Sequence, residues 1–230
     1  MTIEAVIFDL DGTLTSFNID YKTLRVEVRN FLTAKGVPAS VTSPKESIFE
    51  MLDKAEIFFK NATKTDKTFV EVQKEALAIA EKFEVEAAAS TNLMPGAFDA
   101  LKALKQMNIK MGLCTINSQK ATNNILQRFQ IADYFDEVIP RDKVKRVKPN
   151  PEQFETALKA LQTKPDATVV VGDSIADMQS AKDIKAVAVG IPTGTAKMEQ
   201  LTSNGANYII TAISDLPILV QKMNKEKKEN

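Results

Sequence analysis

Four short stretches hold the residue types that could do chemistry. They are Asp9-Leu10-Asp11-Gly12, Thr115-Ile116-Asn117, Lys148, and Asp173-Ser174 followed by Asp177. Asp9 and Asp11 stand two residues apart, so their backbones must lie close together. Carboxylates gathered that closely repel unless a cation joins them. With Asp173 beside them, a hard divalent ion with oxygen ligands resolves the repulsion. Mg²⁺ suits the role, because it keeps several waters and accepts phosphate oxygens. The chain has no His and a single Cys, Cys114. That removes Ser-His-Asp triads, Cys-His dyads, the common zinc enzymes, imidazole bases, disulfide frameworks and all-thiolate metal sites. Acid–base work near neutral pH falls to carboxylates, Lys, Tyr or metal-bound water.

Some framework must bring these stretches together. Residues 3–8 form a short apolar run with β-branched members, stopped by the first acidic stretch, and read as a buried strand. Similar runs occupy residues 109–114, 136–139, 168–171 and 186–189, with a weaker sixth at 207–210. Helical spacing lies between them: Phe98, Leu101 and Leu104; Ile125, Leu126 and Phe129; Phe154, Ala157, Leu158 and Leu161; Met178 and Ala181. Strands alternating with helices predict an α/β fold, a doubly wound parallel sheet covered on both faces. All strands of such a sheet end on one edge, where ligands bind and helix N-termini aim N–H groups at anions. Asp9 and Asp11 follow the first strand, Thr115, Asn117 and Ser118 the second, and Asp173 and Asp177 the fourth. Lys148 is expected to open a helix after a loop. One cleft could therefore collect them all.

Residues 17–92 differ in kind and predict three amphipathic helices. The first holds Leu24, Val28, Phe31 and Leu32 and stops near Gly36-Val37-Pro38. The second is expected to open at Ser43-Pro44-Lys45-Glu46, a capping-box pattern with Pro at the first helical position. The third holds Phe69, Val72, Ala76, Ile79 and Phe83. Stripes containing Phe58 and Phe69 read as the core of this helical block. Residues 222–230 read as a charged, frayed tail.

In order along the chain, these stretches resemble the motifs of the haloacid dehalogenase superfamily, in its phosphatase branch. Asp9-Leu10-Asp11-Gly12-Thr13-Leu14-Thr15 is similar to the first motif, Thr115 to the second and Lys148-Pro149-Asn150-Pro151 to the third. Gly172-Asp173-Ser174-Ile175-Ala176-Asp177 resembles the fourth, and Met94-Pro95-Gly96 the usual return from a helical cap. The resemblance implies a Rossmann-like core over 1–16 and 93–230, an all-helical cap over 17–92, and one bound Mg²⁺. It implies that Asp9 is the nucleophile and gives one oxygen to the metal. Asp11 would give the metal its backbone carbonyl, keeping its side chain free, and Asp173 would be the second side-chain ligand. Asp177 would hold a metal water or Lys148, and Gly12 and Ser174 would support their motifs. By pattern, phosphoglycolate phosphatases and similar capped enzymes are the nearest relatives.

The residues have physical readings as well. A nucleophilic carboxylate splits phosphate ester cleavage into phosphoryl transfer and hydrolysis. Asp11, with no His available, is the natural general acid and then general base. The Thr115 hydroxyl and the N–H groups of Ile116 and Asn117 suit phosphate oxygens. Lys148 supplies a positive charge to the phosphoryl group and to Asp9. Blander readings compete: Asp11-Gly12 as a turn, and Thr115 or Asp173-Ser174 as helix caps. A calcium loop over residues 9–20 fails, because it wants Gly sixth and Glu twelfth where this chain has Gly12 fourth and Asp20 twelfth.

The expected activity is Mg²⁺-dependent hydrolysis of a small phosphorylated metabolite through an aspartyl phosphate. The cap would set specificity, with Asn18, Tyr21, Lys22 and Arg25 as candidate readers, and Lys145 or Arg146 would shape the cleft entrance. A sugar phosphomutase of the beta-phosphoglucomutase type is the alternative, although such enzymes commonly place a His in the cap. Intact Asp11 and Asp173 argue against a dehalogenase, and undegraded motifs against a non-catalytic regulatory protein. Across 230 residues, thirty Lys+Arg balance thirty Asp+Glu, so no nucleic-acid partner is expected. No apolar stretch approaches the ~18 residues needed to cross a bilayer. The opening residues lack signal-peptide features, and with one Cys the expected setting is cytoplasmic. Cys114 is expected in the strand core. Oligomeric state is left open.

Overall fold

In the computed structural model, which describes residues 2–62 and 66–226, six strands form one parallel sheet. They are β1 (Ala5–Phe8), β2 (Lys110–Cys114), β3 (Glu137–Ile139), β4 (Thr168–Gly172), β5 (Val187–Gly190) and β6 (Tyr208–Ile209). Their order is β3-β2-β1-β4-β5-β6. The chain steps outward from β1 through β2 and β3, then crosses to β4 on the other side of β1. A topological switch point thus lies between β1 and β4, the place where doubly wound sheets bind ligands. Phe8 is in register with Leu113 and with Val171, so Asp9 emerges flush with the ends of both neighbouring strands.

Both faces of the sheet are covered, which is why β1 and β4 read as unbroken apolar runs: every residue of both is buried. The chain splits into two compact units. One runs to Asn18 and resumes at Ser90; the other is Ile19–Ala89. Within the sheet unit, Ile7, Val170, Phe154, Leu158, Met178 and Leu201 belong to one apolar core. Its helices are α4 (Ala97–Gln106), α5 (Gln119–Arg128), α6 (Glu152–Leu161), α7 (Ile175–Asp183), α8 (Met198–Ser203) and α9 (Leu216–Glu226), numbered after the three of the other unit. Phe98 stands 43% exposed and edge-on to Tyr134, because α4 turns Ala97, Ala100, Leu101 and Leu104 inward instead.

The Ile19–Ala89 unit is built from α1 (Tyr21–Ala34), α2 (Ile48–Asn61) and α3 (Asp66–Ser90), whose last residue lies across the division. Leu24, Val28, Leu32, Met51, Ala55, Phe59, Phe69 and Ala76 make its core, with Phe58 partly buried against it. The second helix opens four residues later than the sequence pattern predicts. Ser47 is its N-cap and closes a reciprocal capping box with Glu50. Around Ser43 only half of a box forms: Glu46 accepts from the Ser43 N–H, but the Ser43 hydroxyl accepts from the Lys45 N–H. Two overlapping S-x-x-E patterns compete here, and the one directly ahead of the first core residue, Ile48, starts the helix.

The expected charged tail is overturned for residues 222–226, which belong to α9. Met223 is buried, and Asn224 exchanges two hydrogen bonds with the backbone of Ile3, at 2.6 and 3.2 Å. Residues 227–230 lie outside the described residues. Among the described residues no helix is long and apolar enough to cross a membrane.

Candidate active site

Asp9 leaves β1 with its N–H bonded to the Val171 carbonyl at 2.9 Å and its side chain almost wholly buried. Lys148 reaches it from another part of the chain. The Lys148 ammonium donates to Asp9 Oδ1 at 2.5 Å, to Asp177 Oδ1 at 2.7 Å and to the Cys114 carbonyl at 3.0 Å. Burial alone would lower the pKa of this ammonium, but Asp177 and Asp9 outweigh burial and hold it above the ordinary lysine range. Lys148 does not open a helix as the sequence pattern predicts. It sits in the loop ahead of α6, whose N-cap is Pro151, and the Lys148–Pro149 peptide bond is cis. The loop lets its side chain run inward to the end of β1.

Asp173 follows β4. Its Oδ2 accepts from the Thr195 N–H at 2.7 Å and from the Thr195 hydroxyl at 3.2 Å. Asp177 lies one helical turn further on, fully buried. Its second oxygen accepts from the N–H and hydroxyl of Ser174, which is the N-cap of α7. The capping reading of this stretch thus applies to Ser174, while Asp173 faces the acidic cluster. Carboxylate oxygens of Asp9, Asp173 and Asp177 all lie within 4.8 Å of one another.

The electrostatics are those of a site with too much negative charge. Burial pushes the Asp9 carboxyl well above the usual range; Lys148 opposes this, while Asp177 and Asp173 add to it. Burial likewise raises Asp173 to about 6, with Asp177 reinforcing it and the Thr195 N–H opposing. With carboxylate oxygens of Asp9 and Asp173 within 4.8 Å of each other, a proton or a cation between them would relieve the repulsion. Three buried carboxylates face one ammonium, and both oxygens of Asp177 are already engaged. An all-oxygen donor set with excess negative charge fits a hard divalent ion, held chiefly by Asp9 and Asp173.

Asp11 is half-buried. Its carboxylate accepts from the Thr15 hydroxyl at 3.2 Å and from the Asn117 side-chain amide at 2.5 Å. Gly12 follows at φ +87°, and a Cβ there would stand 2.7 Å from the Asp173 carboxylate. Only glycine lets this turn pass so close. Thr115, buried after β2, is not a helix cap: Ser118 caps α5. The Thr115 hydroxyl accepts the Asn117 N–H at 3.2 Å. That N–H is therefore spent locally, and Asn117 reaches the site through its side chain instead. Lys145 and Arg146 have exposed side chains, and their N–H groups are held by Glu152. Cys114 is fully buried, its thiol pushed up by burial, and it belongs to the core.

Three site features are invisible to motif spacing. Gly194 lies against Asp173: a Cβ there would come within 2.0 Å of Oδ2. Thr195 beside it supplies the two bonds to that carboxylate. Both sit in the loop after β5, on the ligand-binding edge, and that placement was the available signal. Gln153, fully buried at the start of α6, bonds to Thr115, Ile139 and Lys148, and nothing in its spacing flags it.

An acidic cluster with one buried lysine thus stands at the switch point of a parallel α/β sheet, the edge where such folds bind ligands. The chain belongs to the haloacid dehalogenase-like hydrolases, whose family description matches residues 3–185. It is 28% identical over 221 residues to the pyrophosphatase PpaX of Anoxybacillus flavithermus, covering 94% of this chain and 96% of that protein. Among solved structures it is similar to a beta-phosphoglucomutase of Clostridium difficile, with a TM-score of 0.70, 24% identity and full coverage of both chains. A predicted phosphoglycolate phosphatase of Haemophilus somnus matches with a TM-score of 0.65 and 20% identity, over 96% of this chain and 99% of that one. At these identities the two structures speak for the fold.

Proposed function

We propose that the protein is a Mg²⁺-dependent phosphatase that cleaves a small phosphorylated compound through a phosphorylated Asp9. The observation that carries this reading is the buried cluster of Asp9, Asp173 and Asp177 pinned by Lys148 at the end of β1. Asp9 and Asp173 would hold the ion by their side chains, with the Asp11 carbonyl as a third protein ligand. When bound, the ion neutralises phosphate charge and orients the phosphoryl group. Asp9 attacks phosphorus, and Lys148, with all three N–H groups committed, fixes the Asp9 carboxylate and offsets charge on the transferring group. Thr115 donates to a phosphate oxygen. Asp11, tethered by Thr15 and Asn117, gives a proton to the leaving oxygen and then takes one from the water that releases phosphate from Asp9.

The family resemblance would make the helical unit Ile19–Ala89 a cap, and the chain enters and leaves it through paired segments. In these, Ser16 donates its N–H to the Asn92 carbonyl, and the Asn18 side chain donates to the Ser90 carbonyl. On its first helix, the Arg25 guanidinium lies over the Tyr21 ring, and its Nε has no hydrogen-bond partner among the described residues. That makes Arg25 the leading candidate for reading an anionic leaving group. Inorganic pyrophosphate has such a leaving group, and full-length relatives carry the name pyrophosphatase. It is the first substrate to test, ahead of phosphoglycolate and sugar phosphates. Hydrolysis is favoured over a mutase because the chain has no His to place in a cap.

The test is phosphate release from pyrophosphate and a panel of phosphate monoesters, with Mg²⁺ and with chelator. We expect release that stops with chelator, returns with Mg²⁺, and is lost in a folded Asp9→Asn variant, whose amide cannot serve as the nucleophile. Full turnover by chelated protein, or by Asp9→Asn, overturns the reading.

A further inference from the structure

Gln153 is a buried polar side chain for which the chemistry above has no use. It is the second residue of α6, has no exposed surface, and sits among apolar core residues such as Phe154 and Ala157. Placing an amide there costs desolvation and rotamer freedom that a leucine would largely avoid. The cost is offset only if the amide's hydrogen bonds are made, and they are. Nε2 donates to the Thr115 carbonyl at 2.9 Å and to the Ile139 carbonyl at 3.2 Å. Oε1 accepts from the Lys148 N–H at 3.1 Å. The amide orientation follows from the partners: turned over, its oxygen would face two carbonyl oxygens and its nitrogen an N–H.

Those partners lie where the reaction needs rigidity. Thr115 ends β2, and its own N–H also bonds to the Ile139 carbonyl, at 3.2 Å. Gln153 therefore closes a ring of hydrogen bonds across the ends of β2 and β3. It then ties that ring to the backbone of the lysine loop. The Lys148 side chain is held at its far end by Asp9, Asp177 and the Cys114 carbonyl; its backbone end is held by Gln153. Lys148 has no regular secondary structure to fix it, so this amide supplies the anchor a helix would have given.

We propose that Gln153 is a positioning residue that sets where the Lys148 ammonium stands beside Asp9 and the phosphoryl group. The inference rests on the phosphatase reading above. Gln153→Met keeps the side-chain length and removes all three bonds. With p-nitrophenyl phosphate and Mg²⁺ we expect kcat to fall roughly 10- to 100-fold, the scale of a small misplacement of catalytic groups. KM should stay within about threefold, the pattern of an interaction realised in the transition state. The decisive readout is a double-mutant cycle with Lys148→Ala. If Gln153 acts through Lys148, its loss changes kcat less than about threefold once the lysine is gone. An unchanged kcat with a lowered melting temperature, or effects that simply multiply, overturns the inference while leaving the phosphatase reading intact. Lys148→Ala at wild-type activity overturns the phosphatase reading itself. Should Gln153→Met not fold, Gln153→Leu carries the same cycle, because it too removes the acceptor of the Lys148 N–H without burying a charge.

Discussion

The two edges of the sheet use polar side chains in opposite ways. At the edge where strands begin, they are spent on backbone. Asp136, just ahead of β3, accepts the Met111 N–H at 2.8 Å while its own N–H goes to the Met111 carbonyl. Asn207, just ahead of β6, does the same with Ala188. Asn224 does it with Ile3, and Lys110 donates to the Leu161 carbonyl at the end of α6. Each polar side chain there completes a backbone group that would otherwise lose a partner. At the edge where strands end, carboxylates are stacked against one another, and burial raises Asp9 and Asp173. One edge lowers the energy of the fold. The other stores an electrostatic cost that a cation and a phosphate can relieve.

Replacing Lys148 with Met should produce the largest failure of that contrast. The length is kept and the charge removed, leaving Asp9 and Asp177 without their buried cation. Breaking a buried pair in this way typically costs about 3–5 kcal/mol. We expect a marked drop in the melting temperature of metal-free protein, partial recovery with Mg²⁺, and turnover lower by roughly 10²- to 10³-fold. Unaltered stability would mean the edge holds no such cost.

Gly194→Ala is the next test. Its Cβ would stand 2.0 Å from Asp173 Oδ2 and 3.0 Å from the Gly12 backbone, so the carboxylate or the loop must move. Overpacking of this kind costs about 1–3 kcal/mol. Here the displaced group is also a proposed metal ligand, so the Mg²⁺ concentration for half-maximal rate should rise about tenfold or more. A Mg²⁺ titration identical to that of the parent protein would remove Asp173 from the ligand set.

How far the sequence foretold these edges depends on what kind of signal each used. The strands were legible because both faces are covered, which makes runs such as residues 168–171 continuously apolar. The alternation with helices made them parallel, but their order, β3-β2-β1-β4-β5-β6, was not legible there. Asp9 and Asp173 stood out because an acid stopped each run. Lys148 was visible as a residue, but its setting was not: it was expected to open a helix, whereas the helix begins at Glu152. Gln153 was hidden for another reason, and Asn117 was flagged for its N–H rather than for the side chain that reaches Asp11. Their roles depend on which way a side chain turns within the core, and spacing carries no trace of that. Gly194 and Thr195 were hidden by distance, lying in a loop whose approach to Asp173 is set by β5. Asn224 was masked by the charged residues around it, although Met223 beside it is buried.

The acidic edge should also write itself into the pH dependence of stability. Asp173 has a raised pKa of about 6 in the fold against an ordinary value of 3.8, so the folded state binds a proton the unfolded chain has released. Its contribution is full below the unfolded value and is lost as pH rises through about 6, with Asp9 acting in the same direction. Metal-free protein should therefore lose on the order of 3 kcal/mol between roughly pH 4 and 7. Mg²⁺ should flatten the curve, and Asp173→Asn should reduce its slope, leaving the part that Asp9 contributes. A metal-free protein whose stability climbs over that interval would contradict the raised carboxyls.

Asn224→Ala probes the opposite edge and should have the smallest effect. It removes one acceptor and one donor from the Ile3 peptide groups, at 2.6 and 3.2 Å. Asn224 is only half-buried, so water replaces part of what is lost, and the expected cost is about 1–2 kcal/mol. In a chain of this length that lowers the melting temperature by about 2–8 °C. Ile3 leads into β1, and Asp9 leaves β1 at its other end, so the same strand links the two edges. If the strand transmits strain, kcat falls along with stability. If the edges are independent, as the complete bonding of β1 to β2 and β4 implies, kcat and the Mg²⁺ titration match the parent at any temperature where both proteins are folded.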